Sequence, residues 1–134
     1  MLSISTDDIR LFLHVLAAAV WVGGQIIFFA LVPVLRRLGN ATLKPVARQL
    51  TRVLWAGFAL LIVTGIWNLY AVDLGAQSHA YRTTLAVKLV VVLLSGVAAW
   101  MHMIVPGPRA RAFWGATTGV AALLALLLGV VLAG

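Results

Sequence analysis

Residues 11–37 read LFLHVLAAAVWVGGQIIFFALVPVLRR. The stretch is apolar for longer than the roughly 20 residues that carry a helix across a bilayer. It holds one ionisable side chain inside its first end, His14, then a Trp-Val-Gly-Gly step at 21–24, and it closes on Arg36 and Arg37. An ionisable group at membrane depth marks a candidate functional site, because such groups are expensive there and face a partner or a watery cavity. The rest of the chain has to supply the partner.

The composition agrees with a membrane reading. Of 134 residues, 63% are hydrophobic and 10% charged, and the mean hydropathy is +1.10. Soluble domains carry about a quarter charged residues, so this is an integral membrane protein with no room for a separate soluble domain. The net charge of +7 then reads as a topology signal and as contact with anionic headgroups rather than as a nucleic-acid surface. The chain lacks the basic runs interleaved with aromatics that single-strand binders use. It has no cysteine, which excludes disulfides, thiolate metal sites and cysteine nucleophiles. The N-terminal segment MLSISTDDIR lacks the basic region and small-residue cleavage site of a secretory signal, so the first helix is expected to stay in the mature protein.

Outward from the opening stretch, the pattern predicts an all-α protein, a bundle of four transmembrane helices in one domain covering 1–134. The spans fall at about 7–37, 43–72, 83–104 and 113–133. Ser5 or Thr6 caps the first, with Asp7 and Asp8 in its first turn. Pro33 predicts a kink, and Leu38-Gly39-Asn40 the break. Pro45 suits the first turn of the second helix. Asp73 to Arg82 reads as a loop, and Pro106-Gly107-Pro108 as a stop. Arg36, Arg37, Lys44, Arg48 and Arg52 gather on one side, with Arg109 and Arg111. The opposite side carries Arg10 and Arg82 against Asp7, Asp8 and Asp73. The positive-inside bias places both termini outside, periplasmic in a bacterial inner membrane.

The polar residues fall in stripes. His14, Trp21 and Gln25 share a face of helix 1, where Gly23 and Gly24 permit close approach of a helix or a flat ligand. Lys88, Ser95 and His102 recur every seven residues along helix 3. Lys88 and Asn68 lie at the depth of His14, one to two turns from the outer surface, with Thr64 a turn deeper. Tyr70, His79 and Tyr81 roof that side. His79 reads as a solvated loop residue. His102 lies at the inner end beside Thr117 and Thr118, so His14 and His102 belong to separate sites and cannot share a metal ion. Met101-His102-Met103 has copper-binding residue types. Neighbouring helical side chains diverge by about 100°, however, which favours a packing role. Trp21 is the pocket tryptophan, the others interface anchors. Gly115 and Gly119 form a small-xxx-small pair suited to a homo-oligomer contact. No triad, carboxylate pair, phosphate loop or HExxH-type zinc site is present, which excludes the common hydrolases. A carboxylate-driven pump is disfavoured by having only three acids, none within a span.

His14, Trp21-Val22-Gly23-Gly24, Pro33, the run Leu61-Ile62-Val63-Thr64-Gly65-Ile66-Trp67-Asn68 and Lys88-Leu89 together resemble the membrane domain of the copper-resistance protein D (CopD) family. The helix 1 and helix 3 elements are also similar to HemJ-type protoporphyrinogen oxidase, a small haem-binding membrane protein. The resemblance implies a metal or haem site. In it His14 matches the helix 1 histidine and Lys88 the helix 3 lysine. His102 compares with the late helix 3 histidines of HemJ-type proteins at a different spacing from the lysine.

Three functions follow as expectations. One is a CopD-like protein that handles copper, with His14 as ligand. Another is a b-type haem protein, as an enzyme a haem-dependent membrane oxidoreductase. There His14 is an axial ligand, Lys88 a second ligand or propionate partner, and Trp21, Gly24 and Asn68 complete the pocket. The last is a non-catalytic membrane accessory subunit. Few donors at one depth lean toward haem, and the overall likeness leans toward copper.

Overall fold

The computed structural model describes residues 3–134. Those residues form four helices and no strand: α1 (Thr6–Arg37), α2 (Asn40–Ala71), α3 (His79–Ile104) and α4 (Pro108–Ala133). Each is long and apolar enough to cross a membrane. At 1.5 Å per residue, the 32 residues of α1 and of α2 each reach about 48 Å, well beyond a hydrocarbon core of about 30 Å. The chain divides into two compact units, the first ending at Val72 and the second starting at Asp73. Each unit is an antiparallel helical hairpin.

The helix starts explain where the sequence reading and the structure differ. Ser5 caps α1 through a capping box: its Oγ accepts from the Asp8 backbone N–H (3.2 Å), and the Asp8 carboxylate accepts from the Ser5 N–H (2.9 Å). The helix then continues through Pro33 to Arg37. Gly39, at φ 93°, turns the chain at once, so α2 begins at Asn40 rather than near 43. Pro45 consequently lies in the second turn. Ser78 caps α3, accepting from the Tyr81 N–H at 3.1 Å. His79 is therefore the first helical residue, exposed, and not part of a loop. Gly107, at φ 88°, starts α4 directly on Pro108, which brings Arg109 and Arg111 into its first turn.

Small residues bring the helices close in both hairpins. In the first, a Cβ built at Gly57 would stand 2.7 Å from Val20 Cγ1 and 3.7 Å from the Ala17 carbonyl. Only glycine lets α2 lie this near α1. Below that contact Trp21, 3% exposed, packs on Phe58 and Trp55 with ring centroids 4.6 and 5.6 Å away. In the second hairpin Val91, Ala121 and Ala125 form the core, with Val92 and Leu128 against it. Most large apolar side chains elsewhere remain exposed, as lipid-facing helices require.

Candidate functional site

The first hairpin holds a polar site at one end, built in two rungs. On the outer rung, Arg10 reaches from α1 to α2. Its Nη1 donates to Asn68 Oδ1 at 2.6 Å and its Nη2 to Asp7 Oδ1 at 2.9 Å. Arg10 is only 8% exposed, and its buried Nε finds no partner among the described residues. One turn further along α1, His14 Nδ1 lies 2.8 Å from Thr64 Oγ1. The spacing of four between Arg10 and His14, and of four between Thr64 and Asn68, stacks both rungs on the facing sides of the two helices.

The second rung fixes a tautomer. Thr64 Oγ1 also lies 2.7 Å from the Leu60 carbonyl and 3.2 Å from that of Leu61. A carbonyl can only accept, so the single hydroxyl proton goes to the backbone. His14 must then bring its own proton on Nδ1, and in the neutral ring the lone pair is then on Nε2. A hydrogen bond at one ring nitrogen that sets the state of the other is the usual support of a ligating histidine. Thr64, 1% exposed, is thus the positioning partner of His14. Gly65 lies beside the ring: a Cβ there would stand 3.7 Å from His14 Cε1.

The other predicted site residues take different places. Asn68 pairs with Arg10 rather than with the imidazole. Trp21 belongs to the aromatic cluster with Trp55 and Phe58. The space over Gly24 is filled by Leu54, whose Cδ2 would collide with an added Cβ, so this glycine serves helix packing. Nothing among the described residues lies within 4 Å of a Cβ at Gly23. Gln25, on the same stripe, buries an amide Nε2 with no hydrogen-bond partner among the described residues.

In the second unit the heptad Lys88, Ser95 and His102 faces α4. Lys88 Nζ would be 3.2 Å from a Cβ at Gly129, near the C-terminal, negative end of α4, where a cation is favoured. Ser95 Oγ donates to the Thr118 carbonyl at 3.0 Å, and Thr118 Oγ1 donates to the Ser95 carbonyl at 2.8 Å. His102 Nδ1 donates to the Arg111 carbonyl at 2.7 Å and lies over Gly115, where a Cβ would stand 3.0 Å from Nδ1. Arg111 Nε returns a bond to the Val105 carbonyl at 3.3 Å. Gly115 is therefore taken up by His102 within the chain, while Gly119 has nothing within 4 Å of an added Cβ among the described residues. The reciprocal Ser95–Thr118 pair and the Arg10 rung escaped the sequence reading. The heptad that placed Ser95 on the ridge, and the spacing of four between Arg10 and His14, are the signals that could have found them.

Among the described residues, no three His, Cys, Asp or Glu side chains come together as a metal-binding group. A single imidazole held in this way can serve a group that takes one such ligand. No known protein family, characterised protein or solved structure matches the chain.

Proposed function

We propose that the chain is a CopD-like integral membrane protein that holds a redox cofactor through His14, and that the cofactor is a b-type haem. The His14–Thr64–Leu60 relay carries this reading, because it holds the imidazole through Nδ1, the support that a ligating histidine has. Haem needs one or two such ligands and an apolar surround, and each of the four helices carries an apolar stretch of 18 residues. Bound haem would supply one-electron chemistry, as in a HemJ-like membrane oxidoreductase. The chain's own part is to hold the ring of His14 in one tautomer and to present Arg10 one turn outward as a cation. The site would face the outer side of a bacterial inner membrane, with both termini there.

Copper handling is the second reading. It is favoured by the short CopD-like motifs and by His102, whose Nδ1–H is likewise fixed, here by the Arg111 carbonyl. The test is an absorption spectrum with metal analysis on protein purified in detergent. A Soret band that is lost in His14→Ala, with helicity retained, supports haem. A colourless protein with stoichiometric copper overturns haem in favour of copper. Neither signal in a folded protein overturns both and leaves an accessory subunit.

A further inference from the structure

The second unit carries an apolar groove that the cofactor reading does not use. It runs along one flank of the α3–α4 hairpin and measures about 340 Å³. Val91 of α3 and Ala121 of α4, both buried, form its floor. Leu94, Phe113, Val120 and Leu124, all exposed, form its walls. Along α4 it extends from Phe113 to Leu124, about 16 Å at 1.5 Å per residue. Thr117 is the one polar side chain in the lining, and its hydroxyl donates to the Phe113 carbonyl at 2.8 Å. Its single proton is thereby spent, and the groove offers a guest no donor.

The α4 side of the groove is a single helical stripe. Phe113, Ala116, Val120 and Leu124 follow one another at steps of three or four residues, and Arg109, exposed, precedes Phe113 by four. Arg109 therefore stands on the groove's own face, one turn beyond its end. Arg111 is turned from it by about 200°, and its Nε donates to the Val105 carbonyl. Asp73, the acid of this unit, precedes α3 at the opposite end of the hairpin.

Helices pack on one another in lipid where small residues let their backbones approach. Here Ala121 lies at the bottom and bulky side chains stand at the rim, which holds a neighbouring helix off and admits a thin apolar chain. We infer that the groove binds one acyl chain of an anionic phospholipid whose phosphate rests on Arg109. The cation lies about 6 Å beyond Phe113 along the axis, which leaves room for the glycerol between chain and phosphate. A free fatty acid carries its carboxylate on the chain itself and would end at Phe113, short of the cation.

The experiment is a titration of the detergent-purified full chain by native mass spectrometry, with phosphatidylglycerol, phosphatidylcholine and oleate as probes. Phosphatidylglycerol is expected to bind about fivefold more tightly than phosphatidylcholine, the worth of one cation near a phosphate. Arg109→Gln should remove that preference, while Arg82→Gln should leave it in place. Ala116 is exposed on the groove side, outside the buried contact between α3 and α4. Ala116→Phe should therefore put a ring into the groove and lower the affinity for both phospholipids about tenfold, as the loss of one or two buried methylenes does. Leu126→Phe adds bulk on another face of α4, about 120° from Val120, and should change neither. Equal binding of the two phospholipids by the unmodified protein overturns the proposal, and this arm needs no variant to fold. A preference that survives in folded Arg109→Gln, or an unchanged titration in folded Ala116→Phe, also overturns it. Displacement of phosphatidylglycerol by oleate at matched concentration would make a free fatty acid the occupant and overturns it. A dimer that is lost in Ala116→Phe while lipid binding stays unchanged would give the groove to a second copy and overturns it too.

Discussion

Thr64→Val tests the central geometry most directly. Valine keeps the branched shape of threonine but removes Oγ1, which lies 2.8 Å from His14 Nδ1. The bond back to the Leu60 carbonyl is lost as well, but that carbonyl retains its place in the helix ladder, so its loss contributes little. The main effect is an imidazole N–H facing an apolar wall at a position that is 1% exposed. An unsatisfied buried donor costs about 1–3 kcal/mol in soluble proteins. Interhelical side-chain bonds in membranes couple by less, about 0.6 kcal/mol on average and 1.7 at most. The membrane range is the relevant one, because the unfolded state in lipid also finds partners. A double-mutant cycle of Thr64→Val with His14→Ala, measured by unfolding in mixed micelles, should therefore give a coupling of about 0.6–1.7 kcal/mol. Thr64→Ser should restore most of it. If the cofactor is present, Thr64→Val should also shift its absorption maximum, because the free ring can then rotate or change tautomer. A coupling near zero in folded variants would refute the relay, and with it the assignment of the lone pair to Nε2.

Four further outcomes follow from the packing. Gly57→Ala should destabilise the protein by about 1–3 kcal/mol, because its methyl meets Val20 Cγ1 at 2.7 Å; Gly23→Ala, with open space around it, should be neutral or stabilising by up to about 1 kcal/mol, and thermal unfolding of the two side by side checks the contrast. Asn68→Ala should cost about 1–3 kcal/mol by leaving the buried Arg10 guanidinium short of an acceptor, read from the same unfolding assay. Ser95→Ala and Thr118→Val should each destabilise, and the double variant should lose about the sum, since each hydroxyl donates to the other residue's backbone carbonyl, which neither substitution removes. Gln25→Met should raise the unfolding midpoint, because it removes the buried Nε2 that has no partner among the described residues.

The fold was legible because its signals are local and repeated. Runs of apolar residues longer than a bilayer, separated by Gly39 and by Pro106-Gly107-Pro108, can hardly form anything but spans and turns. The helix starts were less legible. A span begins where hydrophobicity begins, but a helix begins where its first N–H groups are capped or turned. Gly39 and Gly107 act through a positive φ that no hydropathy pattern reports, and each pulls its helix several residues earlier than the apolar run. Ser78 does the same for α3 through its side chain.

The candidate residue was legible in the sequence, and its hydrogen-bond partner was not. His14 announces itself as an ionisable group in an apolar run. Depth alone put Asn68 level with His14 and Thr64, on the same helix face, a turn deeper, and so favoured Asn68. The choice turns on Arg10, which looks from the sequence like an interfacial charge but is buried and claims Asn68 for itself. A guanidinium one turn outward leaves His14 to the next acceptor down the helix, and Thr64 is that acceptor. The same logic separates the glycines. Gly23 and Gly24 read alike in sequence, yet the helix periodicity turns one toward Leu54 and the other into open space. Hence the glycine against which the imidazole packs is not in the step after Trp21 but is Gly65 on the facing helix, where a Cβ would stand 3.7 Å from the ring. A large residue at Gly65 should therefore disturb the imidazole, while one at Gly23 should not.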